Sequence, residues 1–154
     1  MKFGLYLLVI ESFLKPNQEI LLHFEYGWGN GYVLLPPNHP FHGKQYENLS
    51  INIHGGLTYG EFFKSDQFIN WIGYREFYGD INMDNYQKFQ NYWIIGFDTA
   101  HCDDNLLTCS KEFVINETND LLEQCLGDDI EGIKKYKSVY LRKDKLKNIE
   151  KMHQ

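Results

Sequence analysis

Three short polar segments of the sequence contain the residues best suited to bind a ligand or to transfer protons. They are residues 38–44 (NHPFHGK), 54–59 (HGGLTY) and 98–101 (DTAH). Near neutral pH an imidazole can act as an acid, a base or a metal ligand, and a carboxylate can orient it or stabilise its charge. We expect the three segments to converge on one polar pocket.

The first segment places His39 and His42 three residues apart, with Pro40 between them. Because a proline disfavours a helix interior, the spacing alone does not place both imidazoles on one helix face. One interpretation is a ligand-facing loop in which His39 binds the ligand and Lys44, at the rim, meets an anionic group. The alternative is a stiff surface loop whose histidines form local hydrogen bonds.

The second segment places His54 before two glycines, Gly55 and Gly56, with Tyr59 at the rim of the expected pocket. Because glycine has no β-carbon, a ligand or another backbone can approach closely, and the exposed N–H groups could bind an oxyanion. The alternative is a glycine bulge beside a hydrogen-bonded histidine.

The third segment follows an apolar run, a position where a strand end can hold polar side chains rigidly. Asp98 would bind the ligand or orient His101, and these two residues are the catalytic pair if the protein is an enzyme. The alternative is a turn in which Asp98 caps backbone N–H groups while Asp103 and Asp104 remain solvated.

Several familiar chemistries lack their sequence pattern. The chain has no HExxH zinc helix, no GxSxG elbow and no paired HxT or HxS motif. Cys102 is adjacent to His101, and adjacent residues of an extended segment point to opposite faces, which disfavours a nucleophile pair. Cys109 and Cys125 are interpreted as packing residues. The sequence specifies no cofactor, and a metal site would combine His39, His54, His101 and a carboxylate around a water.

The elements that must position these segments are predicted from apolar patterns and turn residues. The patterns predict an α+β fold with a small mixed or antiparallel sheet, a β-hairpin, long ordered loops and one or more C-terminal helices. The predicted elements are a first strand or short helix at 3–10, a hairpin of 19–26 and 32–35 around a turn at 27–31, an ordered loop at 36–49 with a helical turn near Tyr46, strands at 50–54 and 57–63 around a glycine bend, a central strand at 92–97, and a helix at 116–126 ending at Gly127.

Length and charge limit the classes of protein to consider. The 154 residues favour one domain, predicted as 1–133, followed by a basic helical or frayed extension, 134–154. Residues 1–133 carry 7 basic and 19 acidic side chains, or −12, and the extension carries 8 and 2, or +6. An acidic body repels phosphate backbones, so direct nucleic-acid binding is not expected.

Other features predict a soluble cytoplasmic protein. No apolar run approaches eighteen residues, which argues against a membrane span. Three cysteines cannot all pair within one chain and have no CxxC spacing, which favours a reducing compartment. Glu11 ends the N-terminal apolar run and no small-residue cleavage site follows, so a signal peptide is not expected.

Three blocks together resemble a family of small uncharacterised proteins encoded by bacteriophages and prophages. They are residues 31–44 (GYVLLPPNHPFHGK), 53–59 (IHGGLTY) and 93–101 (WIIGFDTAH), and the resemblance covers about residues 26–104. His42 replaces the aromatic residue expected there, and the chain after Gly127 lies outside the resemblance. The resemblance implies an accessory phage gene product acting in the host cytoplasm and brings no established reaction.

These observations leave three hypotheses for function. The preferred one is binding of a small polar or nucleotide-like ligand in a His/Asp pocket, which could counter host immune signalling by sequestration. The second is a small hydrolase that uses a metal or a His–Asp acid–base pair. The third is an acidic inhibitor of a host defence complex, similar in mode to an anti-CRISPR protein, whose partner would be a basic protein surface.

Overall fold

The protein folds around one five-stranded antiparallel sheet in the order β3-β5-β2-β1-β4. The computed structural model describes residues 4–11, 26–72, 75–101 and 103–127. The strands are β1 (Tyr6–Glu11), β2 (Gly29–Leu35), β3 (Tyr59–Phe62), β4 (Phe77–Gly79) and β5 (Trp93–Phe97), and the helices are α1 (Ser65–Ile72) and α2 (Lys111–Leu126). The predicted α+β class is confirmed.

Both faces of the sheet are covered, which explains the nearly continuous apolar character of its inner strands. In β1, Leu7 and Val9 face the cluster that contains α2, whereas Leu8 and Ile10 face the cluster that contains Phe68 of α1. Successive side chains of a strand point to opposite faces, so each strand contributes to both clusters. The candidate site lies beyond the end of β5, on the side of α2.

Helix α2 lies close against β2 because Gly31 has no side chain. A β-carbon at Gly31 would lie 1.9 Å from Thr118 Oγ1. Thr118 is fully buried and satisfies its hydroxyl by donating to the Val114 carbonyl at 2.6 Å. The helix begins after Ser110, whose Oγ accepts from the Phe113 N–H, so it starts five residues before the predicted residue 116. It ends at Gly127 as predicted, with φ 57°.

The predicted hairpin turn at residues 27–31 is wrong. Gly29 and Gly31 lie in β2, and β2 pairs with β1 on one edge and with β5 on the other. A β-carbon at Gly29 would lie 2.1 Å from the Ile10 carbonyl oxygen, so this glycine allows two backbones to approach rather than the chain to reverse. The other predicted hairpin strand, 19–26, lies outside the described residues except at Tyr26.

The predicted strand at 50–54 is also wrong, although the glycine bend after it is confirmed. The backbone of Asn52 bonds to a side chain of α2 instead of a strand, since its N–H donates to Gln124 Oε1 and its carbonyl accepts from Gln124 Nε2, both at 2.8 Å. Gly55 and Gly56 turn the chain with φ of 67° and 77°. The strand that follows is β3, within the predicted 57–63.

Three other predictions agree with the structure. The first element is the strand β1, the proline-rich loop contains a 3-10 turn at Tyr46–Asn48, and β5 is fully buried between β2 and β3. The basic extension 134–154 lies outside the described residues. Within the described residues, neither α1 nor α2 has the length and apolar character of a membrane span.

Candidate functional site

The loop after β5 is fixed in place by the segment that leads into β2. The Gly27 N–H donates to the Thr99 carbonyl at 2.7 Å, and the Trp28 N–H donates to the Cys109 carbonyl at 2.8 Å. Thr99 is buried, and its hydroxyl donates to the Gly29 carbonyl at 2.7 Å. The loop therefore has the rigid support that a binding site requires.

Two histidines that are distant in sequence meet beside this loop. The ring centroids of His54 and His101 are 5.9 Å apart. Gly55 leaves room for the His101 ring in this position, because a β-carbon there would lie 2.3 Å from His101 Nε2. The second and third predicted segments therefore converge, and the glycine gives close approach to an imidazole.

One carboxylate connects the two segments. Asp104 is 5% exposed; its Oδ1 accepts from His54 Nε2 at 2.8 Å and its Oδ2 accepts from the His101 backbone N–H at 2.9 Å. Burial alone would raise the pKa of Asp104, but hydrogen bonds from His101, His54 and Cys109 outweigh it and hold the pKa below its ordinary value. Asp104 is therefore an ionised and buried partner of His54.

A buried thiol completes this group. Cys109 Sγ lies 3.4 Å from Asp104 Oδ1, to which it donates, and 3.7 Å from His54 Nε2. Burial, together with the neighbouring carboxylate, raises the pKa of the Cys109 thiol. Asp104 and Cys109 both approach the same nitrogen of His54, whereas a nucleophilic triad uses opposite nitrogens of the imidazole. The three side chains instead bring one nitrogen, one oxygen and one sulfur atom close together.

The predicted Asp98–His101 pair is present, and Asp98 also has the alternative role in a turn. Asp98 Oδ1 lies 3.2 Å from His101 Nε2, and each side chain is 34% exposed. The same oxygen accepts from the Ala100 N–H at 3.0 Å, while His101 Nε2 is enclosed without a hydrogen bond of good geometry. His101 thus retains an unsatisfied ring nitrogen next to a carboxylate.

His39 does not reach this site. It is 4% exposed, its Nδ1 accepts from the Phe41 N–H at 3.0 Å, and its Nε2 donates to the Cys125 carbonyl at 2.7 Å. Burial lowers the pKa of His39, opposed by the bond to Cys125. Glu117 accepts from the His54 N–H at 3.1 Å. It lies eight residues before Cys125 on α2, or about 12 Å away along the helix. His39 therefore has a structural role at the far end of α2.

Lys44 lies on a loop that contacts the start of β5, whereas the site follows its end. Two residues before Lys44, His42 donates to the Asn91 carbonyl at 2.7 Å and packs against Trp93, where β5 begins. The site follows the last residue of β5, about 13 Å further along the strand. Lys44 is exposed, and its loop contacts this other end.

Tyr59 faces the opposite side of the sheet from the two histidines. Its ring packs against Tyr32 and Trp71 in the cluster on the side of α1, and its hydroxyl donates to Gln67 Oε1 at 3.2 Å. Burial raises the pKa of this phenol. The expected convergence therefore holds for His54, Gly55, Asp98 and His101, and not for His39, Lys44 or Tyr59.

Gly56 lies beside the site without making a comparable close contact. A β-carbon added there would meet no atom within 4 Å, although its φ of 77° favours glycine. Its N–H donates to the Ile53 carbonyl at 2.9 Å, so this N–H is not free to bind an oxyanion. Gly55 and Gly56 thus have different local roles.

Sequence reasoning missed the two buried members of the group, Asp104 and Cys109. The alternative interpretation of the third segment leaves Asp104 solvated, and the sequence indicates a packing role for Cys109. The signal in the sequence is the asparagine between them, a residue typical of turns. The Asn105 side chain accepts from the N–H groups of Leu107 and Thr108 at 2.8 and 2.9 Å and so folds the intervening chain into a turn. This turn brings a carboxylate and a thiol five residues apart into contact.

No protein-family model, curated protein or solved structure matches this chain. The resemblance of the three sequence blocks to phage proteins stays a prediction. The function is therefore inferred from the residues and their geometry.

Proposed function

We propose that the protein binds a small polar ligand at the site formed by His54, His101 and Asp104. The observation that carries the proposal is that the rings of His54 and His101 meet beside one buried carboxylate, which accepts from the His54 ring and from the His101 backbone N–H. Such convergent polar groups, fixed by buried partners, are typical of sites that orient a ligand. The resemblance to phage and prophage proteins supplies the proposed setting, in which an accessory protein sequesters the ligand and so counters host immune signalling.

Exposure of the site supports ligand access. The side chains of His54 and His101 are 28% and 34% exposed, whereas Asp104 is 5% and Cys109 is 1% exposed. The two imidazoles are thus partly exposed to solvent, whereas the carboxylate and the thiol next to them are buried. A ligand could contact them without any rearrangement of the sheet.

The charge around the site limits the chemistry of that ligand. Asp98, Asp103, Asp104 and Glu117 lie on the segments that form it, and the described residues 54–56, 98–101, 103–109 and 113–117 include no lysine or arginine. Lys111, at the start of α2, forms an ion pair with Glu76 at 2.8 Å. A bare anion would be repelled. We therefore expect a nucleotide-like ligand to bind only together with a cation.

Native mass spectrometry of the protein purified gently from its expression host tests the proposal. We expect a bound mass that is absent under denaturing conditions and absent in the double variant His54→Ala, His101→Ala. His42→Ala is the matched control, because that histidine lies at the other end of β5, and it should retain the bound mass. Equal retention by the double variant would contradict the proposal.

The same variants separate binding from catalysis. If the retained molecule is converted to a product, His101→Ala should abolish turnover and keep binding through His54, because Asp98, whose Oδ1 lies 3.2 Å from His101 Nε2, would orient this imidazole as the acid or base. Unchanged turnover in His101→Ala would exclude it as the acid or base. Binding without turnover in the wild-type protein would favour sequestration.

An exposed leucine pair favours a second candidate function, inhibition of a host defence protein. Leu107 is 95% and Leu106 is 53% exposed, on the turn that Asn105 rigidifies. Apolar side chains held rigidly beside acidic residues could anchor in an apolar pocket with a basic rim. In a host pull-down, Leu107→Ser should lose the partner, and high salt should weaken its capture. Capture that is insensitive to both changes would contradict this function.

A further inference from the structure

We infer that His54, Asp104 and Cys109 bind a divalent transition-metal ion of the zinc class. This inference rests on the proposed function, since it identifies the cation that a polar ligand would need at the same site. The donor atoms are His54 Nε2, Asp104 Oδ1 and Cys109 Sγ, and all three lie within 4.8 Å of one another.

The spacing of these atoms is close to that of zinc ligands. Zinc bonds of about 2.0 to 2.3 Å at tetrahedral angles place pairs of ligands about 3.4 to 3.6 Å apart. The two separations that involve sulfur are 3.4 and 3.7 Å, and the nitrogen–oxygen separation is 2.8 Å. The metal would replace the hydrogen bond between His54 and Asp104, so these two atoms need to separate by about half an ångström.

The donor types select the metal. A thiolate with an imidazole favours zinc and similar borderline-soft ions over magnesium or calcium, which prefer oxygen ligands. Binding requires the Cys109 thiol to lose its proton to solvent and the neutral His54 ring to carry its proton on Nδ1 instead of Nε2, and the positive ion then balances both the thiolate and Asp104. The raised pKa of the thiol is thus offset by the metal itself.

The surrounding bonds hold the three donors ready for the ion. Asp104 Oδ2 is fixed by the His101 N–H, and the Cys109 carbonyl is fixed by the Trp28 N–H. The His54 N–H is fixed by Glu117. Bonds around the ligands preserve their orientation and contribute strongly to metal affinity.

Three protein ligands leave the fourth position of a tetrahedral ion for water or a ligand. His101 lies near this group, with its ring centroid 5.9 Å from that of His54. The metal would therefore supply positive charge where the carboxylates otherwise repel an anionic ligand. The class of ligand inferred is a polar or anionic molecule that coordinates through oxygen or nitrogen.

Cobalt(II) substitution of the tag-free full chain tests the inference. After chelator treatment, one cobalt ion per chain should bind with visible bands of tetrahedral coordination and a thiolate-to-cobalt band in the near ultraviolet, and zinc should displace it. Cys109→Ser should lose the near-ultraviolet band and bind at least about tenfold more weakly. Cys125→Ser is the matched control, because Cys125 is also buried but lies at the other end of α2, and it should behave as wild type.

Two further variants keep the outcome clear. Cys102→Ser should retain the near-ultraviolet band, and Asp104→Asn should weaken cobalt binding if circular dichroism shows it folded. Wild-type protein without a stoichiometric thiolate band, or a band that survives Cys109→Ser, would overturn the metal site. If the wild-type protein gives no stoichiometric thiolate band yet retains a small molecule in native mass spectrometry, the metal inference fails and the proposed function stands.

Discussion

His39 and His54 illustrate two different uses of the same side chain. His39 is buried and spends both ring nitrogens on backbone groups, the Phe41 N–H and the Cys125 carbonyl. His54 is partly exposed and meets a carboxylate and a thiol through one nitrogen. Backbone partners fix a fold, whereas ionisable side-chain partners can exchange a proton for a metal or a ligand. The partners of a histidine, rather than its neighbours in sequence, indicate which use applies.

The largest expected effect on stability is at the structural histidine. His39→Ala leaves the Phe41 N–H and the Cys125 carbonyl without their partner and opens a cavity, so we expect a loss of about 3 kcal/mol in the free energy of unfolding. His54→Ala should cost less, because its side chain is 28% exposed, while abolishing ligand and metal binding. Urea unfolding and cobalt titration of both variants measure this contrast. Equal stability losses in the two variants, or loss of cobalt binding in a folded His39→Ala, would contradict the different roles of the two histidines.

The glycine pair provides the next comparison. Gly55→Ala combines a positive φ with a β-carbon 2.3 Å from His101 Nε2, whereas Gly56→Ala has a similar φ with nothing within 4 Å. We expect a cost of about 1 kcal/mol for Gly56→Ala and a somewhat larger cost for Gly55→Ala, which should also displace the His101 ring. Unfolding midpoints and the imidazole proton shifts of His101 in NMR spectra report the two effects. Identical behaviour of the variants would show that the imidazole does not depend on Gly55.

The smallest expected effect is the dependence of stability on pH. Because burial lowers the pKa of His39 below its ordinary value of 6.5, the unfolded chain binds the proton more readily than the folded one. The contribution of neutral His39 is fully present above about pH 6.5 and is lost as the pH falls towards the folded pKa. We expect the urea midpoint to fall over this range less steeply in His39→Gln. If the urea midpoint falls equally steeply in the wild type and in His39→Gln, His39 is not the source of this pH dependence.

The parts of the fold that sequence predicted are those governed by local pattern. The apolar run of β5 predicts a buried strand, and the structure has one there. The helical spacing of Leu121, Leu122, Cys125 and Leu126 predicts a helix, and these residues lie in α2. Gly29 and Gly31 predict a turn but lie within β2, because glycine serves both chain reversal and close approach. Likewise, the alternating residues 50–54 looked like a strand, and only the distant Gln124 shows why they are not one.

The site was predicted in part for the same reason. His54 and His101 were found because a histidine beside glycine or aspartate is visible locally. Asp104 and Cys109 were missed because their burial results from packing of the loop against residues 27–29 and α2. His39 was assigned to the site because its partner, the Cys125 carbonyl, lies 86 residues away. Neither local charge nor spacing indicates such a contact.

Anomalous diffraction from a crystal of the zinc-loaded full chain would test the central claim most directly. We predict one zinc peak per chain, bonded to His54 Nε2, Asp104 Oδ1 and Cys109 Sγ at about 2.0 to 2.3 Å, with His101 beside the fourth position. A peak on other residues, or zinc-soaked crystals in which His54 keeps its hydrogen bond to Asp104 without a metal, would contradict it.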